Sequence, residues 1–484
     1  IPYNRYVPWQ RLLRGANSFW VWWGEPGLGG SVVASDLSFY DYFKENIKQV
    51  KEMKEGIGKL FITSKRDNDK IGILYSASSV HCSTLTPELP SMEKVLNSLA
   101  TLFEDSGYQF QVIAYKQLEE GILKREDFRL LFLPYCQSIS EKEGKEIKEF
   151  VEKGGIVIAD IRPGVSDQHG KAYKKGILDE VFGIEQRTTG PEAKKAELQI
   201  KDTNFPDKFP TTYLDSSIKL AKGQAKEYVE GTPVLIINNY GKGKAILLNF
   251  SLSNYVEQKG ELESVTTEVT KDSEMIRNFF KSLFSFVGID EKVKTTPEIS
   301  GVRKYRFISG NIEYLGLLQE LPEPIVNYEK GTAKPLVKNK ITINLPKKYN
   351  IYNVREGKYL GYTDEIKTEI EPADAIVYAL LPYKVEDIVL TIPKDIKQGD
   401  ILEYGINIKT SGEKPEQHIY HLSIISPEGK EIKHYTDNLK AEKGNVSGKI
   451  QLALNEVVGE YKIRVKDIAT GKEIEKPFRI MEAK

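Results

Sequence analysis

A change of hydrophobic period near residue 290 constrains this chain more than any other feature of its sequence. Up to Val287, short apolar runs alternate with stretches of helical period. From Thr295 onward the helical pattern stops. Ile71–Ser76, Phe110–Tyr115, Leu130–Pro134 and Gly155–Ile161 read as buried parallel strands. The spacing predicts helices over 91–106 and 141–153 between them. A strand that is apolar on both faces has to be covered on both faces, so this alternation requires a doubly wound sheet with helices on either side. The pair Pro233–Asn238 and Gly243–Leu248, joined through Tyr240-Gly-Lys-Gly, extends the sheet, and a helix over 273–287 closes the unit. The domain so defined spans residues 66–290.

Residues 291–484 read as two β modules. Val302–Ile308, Ile312–Gln319, Lys340–Leu345, Ile351–Val354 and Ala375–Leu380 are short strands between turn-rich segments, which predicts a β-sandwich over 291–384. Six further strands, starting at Ile388, Ile401, His418, Gly448, Gly459 and Lys476, predict a second, immunoglobulin-like sandwich over 385–484. His418 and His421 stand three apart on one of these strands and therefore face opposite sides, so they are not a metal pair.

Residues 1–61 follow a different logic. Trp9–Arg14 is a short amphipathic stretch stopped by Gly15. Ala16–Trp23 reads as a strand, then comes a Gly/Pro-rich loop, then a helix from Phe39 to Ile57 with Phe43, Ile47, Val50, Met53 and Ile57 at helical spacing. All four tryptophans of the chain, Trp9, Trp20, Trp22 and Trp23, lie here. Trp is used mainly to fill large cores or to stack on flat ligands. One βα unit cannot cover both faces of its strand, so a second polypeptide or an upstream segment is expected to pack on residues 1–61. The opening Ile-Pro-Tyr-Asn-Arg has neither an initiator Met nor a signal-peptide pattern, and the chain is expected to be a processed product or a piece of a longer polypeptide.

Composition narrows the function classes. Lys plus Arg and Asp plus Glu both number 69, so no net field recruits nucleic acid or anionic lipid. No apolar run approaches the roughly 18 residues of a membrane span. Two cysteines, Cys82 and Cys136, and five scattered histidines make no disulfide framework and no metal-ligand spacing, and neither metal nor cofactor is expected.

Arg14-Gly-Ala-Asn-Ser-Phe-Trp-Val-Trp-Trp23 resembles the eighth strand of the (β/α)8 barrel in family-42 β-galactosidases. Ile73-Leu-Tyr-Ser-Ala-Ser-Ser-Val-His81, Leu131-Phe-Leu-Pro-Tyr135 and Phe150-Val-Glu-Lys-Gly-Gly-Ile-Val-Ile-Ala-Asp160 resemble, in order, the middle domain of the same enzymes. That domain is flavodoxin-like, related to class I glutamine amidotransferases, and mediates trimerisation. Tyr352–Gly361 with Ala375–Tyr383 looks like the accessory β domain that follows such barrels. The resemblance implies a multidomain α/β plus all-β chain: the last βα unit of a barrel (1–61), a trimerisation-type domain (66–290) and two β-sandwiches (291–384 and 385–484). It also implies a homotrimer and a carbohydrate ligand.

The resemblance places the two catalytic carboxylates on barrel strands four and seven, which would precede Ile1, so no catalytic residue is assigned and the isolated chain is expected to be inactive. Trp20, Trp22, Trp23 and Glu25 are the candidate substrate contacts, with aromatic rings over the apolar face of a pyranose. The structural alternative is that most of these aromatics fill the interface between barrel and helix. Glu25 alone cannot serve as the pair of carboxylates, about 5–5.5 Å apart, that a retaining glycosidase needs. The alternative is a non-catalytic cell-surface or assembly protein with a degenerate hydrolase architecture. An extracellular or cell-surface setting is expected, with the cytoplasm open. A glutamine amidotransferase would need a Cys on a Gly-x-Cys-x-Gly elbow. Cys136 sits in Pro-Tyr-Cys-Gln-Ser, and Cys82 beside His81 in what reads as a strand-to-helix loop, so neither is a nucleophile candidate.

Overall fold

The computed structural model describes residues 2–18, 31–200, 208–256, 266–267, 271–299, 301–322, 326–327, 332–333 and 336–483. The chain forms two compact units. One comprises Asp67–Glu291 with Pro322–Pro324; the other comprises Ile1–Arg66, Lys292–Leu321 and Ile325–Lys484.

The Asp67–Glu291 unit is built on a seven-stranded sheet. Its order is Gln224–Val229, Thr232–Tyr240, Gly243–Leu248, Ile156–Ala159, Leu130–Leu133, Ile71–Tyr75, Gln111–Ala114. The last five strands run parallel, and the first two add an antiparallel extension. Ile71, Ile73, Leu131, Phe132, Val157 and Ile158 are fully buried, as strands covered on both faces must be. Helices Met92–Asp105, Glu141–Glu152 and Lys271–Phe286 lie close to the ranges their apolar spacing predicts. Ser140 starts the second with a capping box, its hydroxyl accepting from the Glu143 N–H while the Glu143 carboxylate accepts from the Ser140 N–H. Phe103 joins the first and third helices, its ring 4.9 Å from that of Phe284 and 5.7 Å from strand residue Phe132. The sequence pattern misses a hairpin, Ala193–Gln199 with Lys208–Asp215, because Lys and Glu dominate its exposed positions.

A buried aspartate makes this unit sensitive to pH. Asp179 opens the short helix Asp179–Phe182 and accepts a hydrogen bond from Gln186 Nε2 at 2.8 Å. Burial outweighs that bond and pushes its carboxyl from 3.8 to about 6. The folded chain therefore holds a proton that the unfolded chain has released between those values, so this group makes stability fall as pH rises from about 4 to 6.

In the other unit, residues 292–381 hold one seven-stranded antiparallel sheet together with Lys65–Arg66. Its order is Lys65–Arg66, Val302–Ser309, Ile312–Gln319, Ala375–Leu381, Asn339–Asn353, Lys294–Thr296, with Lys358–Ile370 also paired to Asn339–Asn353. Where a β-sandwich is expected over 291–384, the long strands lie in this single sheet, and Val326–Asn327 pairs separately with Thr332–Ala333. The two short runs around 340–345 and 351–354 are one strand of 15 residues, whose register shifts between Asn344 and Tyr349. One face of the sheet carries a core formed by Leu315, Leu317, Ile343, Ile351, Ile366 and Leu380.

The opposite face of this sheet is covered by the N-terminal helices. Phe307 and Tyr314 pair across strands, and the Phe61 ring lies 4.8 Å and 6.3 Å from them. Gly316, two residues on and on the same face, admits helix Pro2–Leu13: a Cβ there would meet Leu13 Cδ2 at 2.4 Å.

Residues 384–481 form two sheets. One holds Lys384–Thr391, Ile401–Ser411 and Asn445–Gln451; the other holds Asp395–Lys397, Glu473–Met481, Gly459–Asp467, His418–Ile425 and Asp437–Ala441. His418 is fully buried while His421 is partly exposed and bonded to Asn438, in keeping with opposite faces. Tyr383 OH accepts the Glu416 N–H, so its own proton goes to His418 Nε2 at 3.0 Å, and His418 Nδ1–H donates to Asp467 at 2.8 Å. Every ring nitrogen is used, which marks this histidine as structural.

Two outcomes follow from this packing. Asp179→Asn keeps the oxygen that Gln186 needs and is expected to raise the melting temperature above pH 6 by about 2–4 °C, the shift for about 1 kcal/mol in a unit of this size, with no gain at pH 4. Scanning calorimetry across pH checks it. Gly316→Leu would drive helix Pro2–Leu13 off the sheet and is expected to cost at least about 3 kcal/mol, the upper range for overpacking, in denaturant unfolding.

Candidate carbohydrate site and its surroundings

The candidate contacts Trp20, Trp22, Trp23 and Glu25 lie outside the described residues. What the structure shows is how both flanks of that stretch are held. Upstream, helix Pro2–Leu13 ends at Gly15, whose φ of +91° provides the expected stop. Downstream, Ser31–Tyr40 forms a turn around Asp36, which accepts from the Ser38 N–H and hydroxyl, and Tyr42 OH donates to the Ser31 carbonyl. Helix Asp41–Glu52 continues through a π-helical turn, Met53–Ile57, into Gly58–Ile62. Gly56 sits at φ +127°, and a Cβ on it would collide with Ile468 at 2.4 Å, so only glycine allows this approach to the terminal module.

The two flanks are fastened to one another and to the sheet at one point. Trp9 is fully buried, and its indole N–H donates to Gln49 Oε1 at 2.8 Å. The Arg355 guanidinium lies 4.7 Å from the Trp9 ring and bonds the Glu52 carboxylate through two nitrogens, at 2.7 and 2.9 Å. Asp374 takes a third bond at 2.7 Å. Burial works against the charge of Arg355, but the Glu52 and Asp374 carboxylates hold it firmly protonated. Sequence alone places Trp9 with the tryptophans of an uncovered βα unit; the structure covers it with residues of this chain. An Arg in a β turn some 350 residues away gives no sequence signal for this contact.

Aromatic side chains remain exposed on the downstream flank. Phe39, Tyr40 and Tyr42 are each more than a third exposed, and the Tyr40 and Tyr42 rings stack 5.6 Å apart at 10°. These were missed as candidates because the helical period assigned them to a helix start.

The second candidate chemistry is excluded by geometry. Cys136 is fully buried, its thiol near the Leu74 and Pro134 carbonyls, and burial pushes its pKa well up, opposite to a nucleophile's need. His81 and Cys82 lie on helix Ala77–Ser83, not in a loop as the sequence suggested, because Ser76 caps that helix through the Ser79 N–H. The strained position after strand Leu130–Leu133 belongs to Tyr135, at φ +42°. Its N–H donates to Asp160 and its hydroxyl meets Thr86 at 2.8 Å. Arg162, at φ +58°, pairs with Asp215 at 2.7 Å where both are almost fully buried. The elbow is thus closed by a tyrosine and a buried ion pair. Among the described residues no group of three or more His, Cys, Asp or Glu could hold a metal ion, and no helix is long and apolar enough to cross a membrane.

Iodoacetamide is expected to alkylate Cys82, which is partly exposed, and to leave Cys136 unmodified until the chain is unfolded. Peptide mass mapping before and after denaturation checks this.

Residues 123–273 match the family model of the β-galactosidase trimerisation domain. β-Galactosidase GanA of Bacillus subtilis is 26% identical over 161 residues, which are 31% of this chain and 23% of that protein. The fold is similar to that of Gan42B, a GH42 β-galactosidase from G. stearothermophilus, with TM-score 0.57, 17% identity, and coverage of 78% of this chain and 50% of that one. It is similar also to β-galactosidase from Bacillus circulans sp. alkalophilus, with TM-score 0.52, 13% identity, and coverage of 72% and 47%. The chain thus spans about half the length of these solved relatives. Over residues 123–273 it carries the β-galactosidase trimerisation domain, and it resembles the glycoside hydrolases of family 42.

Proposed function

We propose that this chain is the C-terminal part of a retaining glycoside hydrolase acting on β-galactosides or related glycans. The observation that carries the reading is the trimerisation-domain match over residues 123–273, supported by the likeness in fold to two β-galactosidases about twice as long. In this reading residues 1–61 are the last βα unit of a (β/α)8 barrel. Residues 66–290 are a flavodoxin-like domain that assembles a homotrimer, and 385–484 form an immunoglobulin-like module. An extracellular or cell-surface setting belongs to the same reading.

The chemistry requires one carboxylic acid to protonate the leaving oxygen and a second carboxylate, about 5–5.5 Å away, to form the glycosyl-enzyme. No described residue is assigned to either role; both are placed in a segment that packs on residues 1–61. This chain contributes Trp20, Trp22 and Trp23 as stacking surfaces and Glu25 as a polar contact at the barrel mouth. Clamping Trp9 and Glu52 on either side of that stretch supports the role, since a stacking ring has to be held in place to bind without further ordering cost.

The test has two arms. Light scattering of the purified chain is expected to give three copies. Titration with a galacto-oligosaccharide, followed by Trp fluorescence, is expected to show binding that Trp20→Ala or Trp22→Ala weakens at least tenfold, about 1.4 kcal/mol. The chain alone is expected not to hydrolyse nitrophenyl β-galactoside, and adding the upstream polypeptide is expected to confer hydrolysis. A monomer that binds no galactoside, with or without the upstream polypeptide, would overturn the reading.

A further inference from the structure

Strand Lys358–Ile370 lies at a rim of the seven-stranded antiparallel sheet. One edge of it is bonded to Asn339–Asn353, and among the described residues no strand pairs with the other edge. Over Glu365–Ile370 the pairing with Asn339–Asn344 runs without a register shift, and the stretch holds no proline. It therefore offers a straight row of backbone donors and acceptors to an incoming strand. The Glu365 N–H shows which way the row points: it donates to the Thr363 hydroxyl at 3.1 Å and not to a neighbouring strand. Alternation along an antiparallel strand turns the backbone groups of Lys367 and Glu369 the same way.

The side chains on this edge carry a pattern as well. Ile366 and Ile370 belong to the core on one face of the sheet, so Glu365, Lys367 and Glu369 share the other face. Their side chains are 47%, 79% and 52% exposed. Glu365 and Lys367 pair with each other at 3.1 Å. An ion pair this open to solvent is worth little, so exchanging it for an equivalent pair outside the chain costs little. Charged residues commonly guard an edge against pairing. Here they alternate in sign, which guards against a like strand in neighbouring registers and admits it in one.

A second copy of this chain fits that register. Two antiparallel copies related by a two-fold axis at Ile366 set Glu365 of each opposite Lys367 of the other. Moving the axis by one residue sets Glu365 against its own copy, or Lys367 against its own copy. With the axis at Ile366, the outward backbone groups of Glu365 and Lys367 exchange hydrogen bonds across the joint, and the two Ile366 residues form the closer, non-hydrogen-bonded pair. We propose that the outer edge of Lys358–Ile370 is a self-association surface that joins two copies into one continuous sheet through Glu365, Ile366 and Lys367. The surface belongs to a different unit from the trimerisation-domain match, and the proposal does not depend on the carbohydrate reading. The stretch is short against the roughly 20–30 residues a side of a standard interface, so pairing is expected in concentrated solution only.

Sedimentation equilibrium of the intact chain, from dilute to concentrated solution, tests the proposal. The weight-average mass is expected to rise to at least twice its dilute value, whatever assembly the dilute chain forms. Lys367→Glu and Glu365→Lys each set like charges across the joint, and each is expected to abolish the rise. The double variant Glu365→Lys/Lys367→Glu is expected to regain it, as is an equimolar mixture of the two single variants. These side chains are exposed, so the melting temperature is expected to stay unchanged, which separates lost pairing from lost folding. A mass independent of concentration in the unaltered chain, a rise that survives Lys367→Glu, or a double variant that does not regain it would overturn the proposal. A chain that is monomeric when dilute and doubles in a Lys367-dependent way supports the edge pairing while the trimeric reading fails.

Discussion

One guanidinium group organises the unit that contains the N-terminus. Arg355, in the turn between two long strands, reaches Glu52, Asp374 and the face of Trp9 together. Charged hydrogen bonds of this kind are worth roughly 1.5–3 kcal/mol each when partly shielded from water. Their structural effect exceeds that sum. Glu52 ends helix Asp41–Glu52 and Trp9 lies in helix Pro2–Leu13, so one side chain sets the spacing of both helices against the sheet. Leu13 on Gly316 and Phe61 on Phe307 then complete an apolar interface whose geometry is already fixed.

This arrangement changes what the first sixty residues are. A lone strand and helix would leave tryptophan exposed, whereas here the flanking helices have a sheet of their own to cover. The described residues on either side of Trp20–Glu25 are thereby anchored. A sugar contact needs such support, because a ring that must be ordered on binding loses much of its stacking energy to entropy. The terminal module adds a second hold, with Ile468 against Gly56 and Asn438 bonded to the Lys54 carbonyl.

The doubly wound unit was legible in the sequence because its signal is local. Runs such as Leu130–Leu133 and Ile156–Ala159 are too apolar to be anything but strands covered on both faces, and Ser140 with Glu143 announces a helix start. The β region was read less well. Asn339–Asn353 looked like two strands because Pro346-Lys-Lys348 interrupts its alternation, and the interruption is where the strand shifts register. Trp9–Arg355 and Arg162–Asp215 were not legible at all: they join residues 346 and 53 positions apart, and no periodicity reports such pairs.

The central claim is that helices Pro2–Leu13 and Asp41–Glu52 belong energetically to the β-rich unit through Arg355. Hydrogen exchange in rising denaturant tests it most directly, followed at amides of helices Pro2–Leu13 and Asp41–Glu52 and of strands Val302–Ser309 and Ile312–Gln319. The account predicts that helices and strands lose protection together in one cooperative opening. Arg355→Gln should separate them, releasing the helices at lower denaturant while the strands stay protected. Helices that exchange well before the strands in the unaltered chain, or that are indifferent to Arg355→Gln, would contradict it.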